Sequence, residues 1–272
     1  MNLLQSFIFG IIQGLTEFIP VSSTAHLLIF QKYLGLEPDN SIFTLLVLVQ
    51  MGTIVSLVLH FWKDLVAIAR AMIKNPLTDP TGSLTRLGWY IILATIPALI
   101  AGYFLKDLVQ ALFATPLLEA AIRLFTAAVL LALAEWLGKR TRQLESITWL
   151  DALFIGAMQI ISVFPGASRS GTTISGGLFR GFNRAAAVRF SFLMSVPVML
   201  AAGIFQSLDL LNIPDPTGFL PGLAVGFVTA AVVGWLAIKW LLNFINRHSL
   251  YVFSVYCAVV GIICLLFVLF QG

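Results

Sequence analysis

Lys, Arg, Asp and Glu are missing from five long stretches of this chain, residues 40–62, 87–105, 190–208, 216–238 and 248–272. Each is close to or above the ~20 apolar residues that carry a helix across a bilayer. Without water to satisfy the backbone, only helices and closed barrels can span lipid, so the expected fold is an all-α polytopic membrane protein. Its side chains are 59% hydrophobic and 10% charged, against roughly a quarter charged in a soluble domain, so no soluble core could absorb them. A sixth span is expected at Leu117–Leu137, where Glu119, Arg123 and Glu135 interrupt the run and only Arg123 lies well inside it. Arg123 is expected to snorkel outward beside Glu119.

Two shorter apolar runs, Leu3–Ile19 and Trp149–Phe164, stop at Pro20 and Pro165 and give way to small polar residues. They read as half-crossings, re-entrant helix hairpins that return to their own side. On that basis, counting crossings sorts the basic residues. Lys63, Arg70, Lys74, Arg86, Lys139, Arg140, Arg142, Arg180, Arg184, Arg189, Lys239 and Arg247, twelve of the 16, fall on one side, and Lys32 and Lys106 on the other. The positive-inside rule makes the first side cytoplasmic and puts both termini outside. Arg180, Arg184 and Arg189 are then expected as interfacial anchors, and His60 and His248 as interfacial residues at span ends. The net charge of +4 serves topology, and no nucleic-acid partner is expected.

No basic residue precedes Lys32, so the charged flank of a secretory signal peptide is missing and the N-terminus is read as part of the fold. Cys257 and Cys264 lie about 10 Å apart along one helix, beyond disulfide reach, and are expected as plain lipid-facing or core residues. Gly10-Ile-Ile-Gln13 and Gly156-Ala-Met-Gln159 each precede a Pro and a Ser-rich turn. Three spans follow each hairpin, and because three is odd the second half enters from the opposite face. The reading is one membrane domain, residues 1–272, made of inverted halves 1–140 and 141–272, as in many transporters.

Irregular backbone at membrane depth is tolerated only where protein buries it or a wet cavity takes it, so the two tips should meet around a cavity near the midplane. The first reads Gln13-Gly-Leu-Thr-Glu17-Phe-Ile-Pro20-Val-Ser22-Ser23-Thr24-Ala-His26. Gln13 and Glu17 are one turn apart and share a face, so their oxygens can converge on one ion or proton. Ser22 or Ser23 suits the cap of the next helix, and His26 stands one turn beyond Ser23. The second reads Pro165-Gly-Ala-Ser168-Arg169-Ser170-Gly171-Thr172-Thr173-Ile-Ser175-Gly-Gly177. A Gly-rich loop opening into a helix N-terminus cradles anions, and Arg169 adds a fork suited to phosphate oxygens. A charge at mid-bilayer costs at least ~2.5–3.5 kcal/mol, which makes Glu17 and Arg169 functional candidates. The plainer alternative, a Glu–Arg pair that merely locks the hairpins, leaves the hydroxyls and His26 without a purpose.

At these tips the sequence closely resembles the bacterial undecaprenyl-pyrophosphate phosphatase family of the bacitracin-resistance type, and the likeness runs over essentially the whole chain. Many members carry Glu where this chain has Gln13, and more often Gly where it has Ala25. The resemblance implies hydrolysis of undecaprenyl pyrophosphate to undecaprenyl phosphate and inorganic phosphate, assisted by Mg2+ or Ca2+. It also implies recycling of the carrier for cell-wall synthesis, bacitracin resistance, and a site open to the outer face of the bacterial cytoplasmic membrane.

The expected roles follow. Glu17, Ser23, His26 and Arg169 are catalytic. Ser22, Thr24, Ser168, Arg169, Ser170, Gly171, Thr172 and Thr173 bind the phosphates, and Glu17 with Gln13 holds the divalent cation. Either Ser23 attacks with His26 as its base, or His26 attacks or activates a water. The partners expected are a polyprenyl pyrophosphate and membrane lipid, and a homodimer is compatible with both. The rival reading is a secondary transporter or lipid flippase, for which inverted repeats and paired hairpins are the usual architecture.

Overall fold

The computed structural model describes residues 2–36, 40–74, 83–105, 116–163, 167–207 and 216–271, and Lys106, Pro165 and Gly166 lie outside them. Within them the secondary structure is helical: α1 (Leu3–Phe18), α2 (Ser23–Tyr33), α3 (Asn40–His60), α4 (Trp62–Lys74), α5 (Ser83–Phe104), α6 (Pro116–Leu137), a 3-10 turn at Leu144–Ser146, α7 (Trp149–Ile161), α8 (Arg169–Phe179), α9 (Arg184–Ser207), α10 (Pro216–Ile245) and α11 (Tyr251–Gln271). Five of these are long and apolar enough to cross a membrane, and a sixth follows if the pair α3 and α4 is taken as one broken span. That pair bends by 74°. The bend sets α4 off from the axis of α3 as a separate helix that carries Lys63, Arg70 and Lys74 and buries Ile68. The lipid-facing sides carry large exposed apolar residues, on α11 Val255, Val259, Ile262 and Phe267 among them.

The two short apolar helices begin the two hairpins. Asn2 caps α1 in a box with Gln5, and Thr148 caps α7 in a box with Asp151, which satisfies orphan first-turn donors. After α1 the chain turns extended at Ile19, and Ser22 sits at φ 67, a left-handed backbone that few non-glycine residues adopt. The chain then doubles back: Phe9 of α1 meets Phe30 of α2 edge-on at 5.1 Å. In the second hairpin Arg180, just past α8, donates to Asp151 at the start of α7 at 2.6 Å, so that hairpin ends at the face where it began.

Close helix contact in lipid relies on small residues, and the first helix of each hairpin shows it. A Cβ on Gly10 would stand 2.6 Å from the Gly226 carbonyl of α10, and one on Gly156 would collide with the Ala94 backbone of α5. The packing thus crosses over between the parts of the chain. α1 lies on α10, α7 on α5, α3 on both α9 and α10, and α6 on α11.

The basic residues expected as interfacial anchors are held more firmly than that reading supposed. Glu135, fully buried, accepts Arg184 at 2.6 and 2.8 Å, Arg140 at 2.5 Å and the Leu250 amide at 2.8 Å. Asp151, also buried, accepts Arg142 at 3.1 and 2.6 Å besides Arg180. Arg189 pairs with Asp64 of α4 at 3.0 Å. A carboxylate in a sparsely hydrated helix end needs such donors, so these arginines tie helix ends together rather than only touching headgroups. The hydrogen bond to Asp151 holds the Arg142 guanidinium above its ordinary value. Cys257 and Cys264 are both buried in the core as free thiols.

Candidate active site

The two hairpin tips meet. Glu17, in the last turn of α1 and 6% exposed, receives three donors from three directions. Its Oε2 accepts Gln13 Nε2 at 2.8 Å and Ser23 Oγ at 2.7 Å. Its Oε1 accepts Arg169 Nη2 of the other hairpin at 2.5 Å. The one-turn spacing of Gln13 and Glu17 makes the first contact, the break at Pro20 turns Ser23 back for the second, and the N-terminus of α8 presents Arg169 for the third.

Beside this cluster lies a cavity of about 240 Å³. Pockets for drug-sized ligands span roughly 300–1,000 Å³, so the space suits a compact polar group. Glu17, Ser22, Ser23, Thr24, Ser168, Arg169 and Ser170 line it, as the sequence reading placed them. Two polar atoms of its lining have no hydrogen-bond partner though fully buried, Arg169 Nη1 and Gln159 Oε1. Buried polar atoms are ordinarily satisfied, so a free donor and a free acceptor here are unused capacity for a ligand.

Three expectations are corrected. His26 does not touch Ser23: its Nδ1 lies 2.9 Å from the Ser22 carbonyl and its Nε2 2.8 Å from the Tyr256 hydroxyl, with the two rings stacked. A carbonyl only accepts, so Nδ1 carries the proton and Nε2 accepts from Tyr256. Gly171, Thr172 and Thr173 do not line the cavity. The Gly171 amide is taken by the Ser168 cap at 3.2 Å, and both threonine hydroxyls bond back to the Arg169 carbonyl, at 2.9 and 2.8 Å. Helix geometry turns these positions inward, and Thr173 also meets Ser191 of α9. Arg123 does not snorkel. It is buried, donates from Nε to Glu119 at 2.8 Å, and lines the cavity. Gln13 shares the face of Glu17 as its spacing predicts, donating its amide nitrogen to that carboxylate from outside the cavity lining and keeping its carbonyl oxygen as the expected ligand atom.

Gln50, Gln159 and Ser162 also line the cavity and were not singled out by the sequence reading. Gln159 alone left a signal, since it matches Gln13 in the two Gly-x-x-Gln stretches. Among the described residues no three His, Cys, Asp or Glu side chains come together, so a dedicated all-protein metal cage is not formed there. The donor set fits instead a hard cation that arrives with a phosphate, as Mg2+ does when one or two carboxylates complete its shell.

A family profile described as bacitracin resistance protein BacA matches residues 6–263. This chain belongs to that family. It is 39% identical to the undecaprenyl-diphosphatase of Chlorobium phaeovibrioides, over 98% of this chain and 97% of that protein. It is 37% identical to the undecaprenyl-diphosphatase of Desulforudis audaxviator, over the full length of both. The same name is carried by a relative from Anaeromyxobacter dehalogenans, 42% identical over 96% of this chain and 90% of that protein.

Proposed function

We propose that this multi-pass membrane protein is an undecaprenyl-diphosphatase whose catalytic centre is the Glu17–Ser23–Arg169 cluster. The observation that carries the mechanism is the 2.7 Å hydrogen bond from Ser23 Oγ to Glu17 Oε2, a nucleophile already in contact with its base. Ser23 Oγ attacks the terminal phosphorus while its proton passes to Glu17. The bond from that phosphorus to the bridging oxygen breaks, and undecaprenyl phosphate leaves with the proton that Glu17 took up, so the carboxylate is free again. Water then attacks the phosphoserine, giving its proton to Glu17 and releasing inorganic phosphate, and Glu17 returns a proton to Ser23. Arg169 keeps Nη2 on Glu17 and offers its unpartnered Nη1 to the phosphoryl oxygens, where charge accumulates in the transition state. Mg2+ or Ca2+, held by a Glu17 oxygen with the Gln13 carbonyl oxygen and the substrate phosphates, would add Lewis-acid stabilisation.

The membrane is read as the bacterial cytoplasmic membrane, with both termini outside and the site open outward. The gathering of Arg140, Arg142, Arg180, Arg184 and Arg189 around buried or nearby carboxylates supports that reading, since basic residues that the crossing count assigns to one side are tied together by ion pairs. Inverted halves 1–140 and 141–272 are supported by the crossed packing, α1 on α10 against α7 on α5. That packing is also what favours the second reading, movement of the product lipid by the same fold.

The test is phosphate release from undecaprenyl diphosphate by detergent-purified protein, with and without EDTA, alongside Ser23→Ala. We expect release that EDTA abolishes and Mg2+ or Ca2+ restores, lost in the variant, and a phosphoserine at position 23 in quenched wild-type reactions. Release by Ser23→Ala at the wild-type rate would refute the serine mechanism, and no release by folded wild type would refute the phosphatase.

A further inference from the structure

Gln159 lies in the last turn of α7, 1% exposed. It lines the cavity, and its side-chain Oε1 is buried without a hydrogen-bond partner. Its counterpart in the other hairpin shows why. Gln13 meets a carboxylate one turn on, at Glu17, whereas one turn beyond Gln159 stands Val163, which has nothing to bond. Ser162 Oγ donates to the main-chain carbonyl of Gln159 at 2.7 Å, so the helix end is closed without that amide. A buried acceptor left without a donor costs about 1–3 kcal/mol, which a ligand able to donate would recover. Ionised phosphoryl oxygens accept hydrogen bonds and do not donate. The diphosphate can therefore meet Arg169 Nη1 and still leave Gln159 Oε1 unmet.

Resting on the serine mechanism proposed above, we infer that Gln159 Oε1 holds the water that discharges the phosphoserine. Once undecaprenyl phosphate has gone, a cavity of about 240 Å³ has room for several waters at the ~30 Å³ that each takes in the liquid. Hydrolysis then depends on aiming one of them, and a glutamine side chain can orient an attacking water in phosphoryl transfer. Glu17 takes one O–H of that water, and Gln159 Oε1 accepts the other. The water oxygen bonds to phosphorus as its first proton passes to Glu17. The bond from phosphorus to Ser23 Oγ breaks, Oγ takes the proton from Glu17, and the O–H held by Gln159 leaves as part of inorganic phosphate. The amide gains no proton at any point, since a carboxamide oxygen serves here only as an acceptor. Gln159 thus acts in the second half of the cycle and not in the first.

The experiment follows undecaprenyl phosphate, inorganic phosphate and phosphoserine at position 23 by rapid quench, in the detergent-purified full chain with Mg2+, for wild type, Gln159→Met and Gln159→Glu. Gln159→Met keeps the bulk of the side chain and removes its acceptor. It should form the first equivalent of undecaprenyl phosphate within about twofold of the wild-type rate. Inorganic phosphate should then appear about ten- to a hundredfold more slowly, as when a reacting group is misplaced, and phosphoserine should accumulate. Gln159→Glu retains an acceptor oxygen at the same reach and should clear the phosphoserine faster than Gln159→Met. Methylenediphosphonate, a diphosphate mimic with an uncleavable carbon bridge, should bind Gln159→Met within about twofold of wild type by calorimetry, which marks that variant as folded. Phosphoserine cleared by Gln159→Met at the wild-type rate would overturn the inference, and so would an equal slowing of both steps, which would make the side chain a strut of the cavity or a holder of the cation. Turnover by wild type without any phosphoserine would instead bring down the serine mechanism, and this inference with it.

Discussion

Replacing Glu17 by Gln tests the proton-transfer role of the site with the least change of shape. The carboxylate accepts three hydrogen bonds, from Gln13, Ser23 and Arg169, whereas an amide has one oxygen to accept with and a nitrogen that only donates. At least one buried donor is stranded, at about 1–3 kcal/mol, so the variant should unfold at a lower temperature in detergent. Turnover should fall further, because an amide cannot take the Ser23 proton. General-base catalysis is worth about 10²–10⁴ in rate, or about 2.7–5.5 kcal/mol. Affinity should move the other way: Arg169, no longer shared with a carboxylate, is wholly available to an anion. With EDTA present to exclude the cation, methylenediphosphonate should bind the variant at least as tightly as wild type. Turnover within tenfold of wild type would refute the base assignment. A parallel loss of affinity would show that Glu17 places the ligand rather than takes the proton.

Asp151→Ala removes the acceptor shared by Arg142 and Arg180. Breaking a buried pair costs about 3–5 kcal/mol, and with the arginines 29% and 37% exposed screening favours the lower end. A lowered thermal midpoint is expected, with normal turnover in the fraction that stays folded. Gly156→Val drives a side chain into the Ala94 backbone and should cost the about 1–3 kcal/mol of overpacking or more, visible as poor yield. Gly102, where a Cβ meets nothing within 4 Å, should accept Val at wild-type yield. Tyr256→Phe deletes one hydrogen bond to His26, about 0.5–1.5 kcal/mol, and should leave turnover within about tenfold. A thousandfold loss would put the His26–Tyr256 pair in the chemistry.

What the sequence disclosed depended on how local each cause is. Spans follow from the absence of charge over a window, and the hairpins from a proline and a polar turn, so both were legible. The contact between Glu17 and Arg169 was legible for another reason: two charges too costly to leave alone in a membrane find each other. His26 was misplaced because spacing put it one turn from Ser23, while its actual partner, Tyr256, lies on the last helix, where nothing local points to it. Arg123 failed in the same manner. Its neighbour Glu119 explained it too well, and only the position of α6 against α8 turns it toward the cavity. Thr172 and Thr173 looked like ligands by composition, but hydroxyls inside a helix can bond its own carbonyls.

The two caps are built alike, Ser22 Oγ taking the Ala25 amide and Ser168 Oγ the Gly171 amide, and Gln13 and Gln159 each stand nine residues before their cap serine. Chemistry breaks the match. Where one hairpin has Glu17 and Ser23, the other has Val163 and Arg169. On the proposed mechanism, paired scaffolding yields one reaction centre with a handedness: the proton acceptor and nucleophile come from one arm and the guanidinium from the other. Under that mechanism a headgroup of two near-identical phosphates would react only one way round, and the isoprenoid tail would always trail out by the same door.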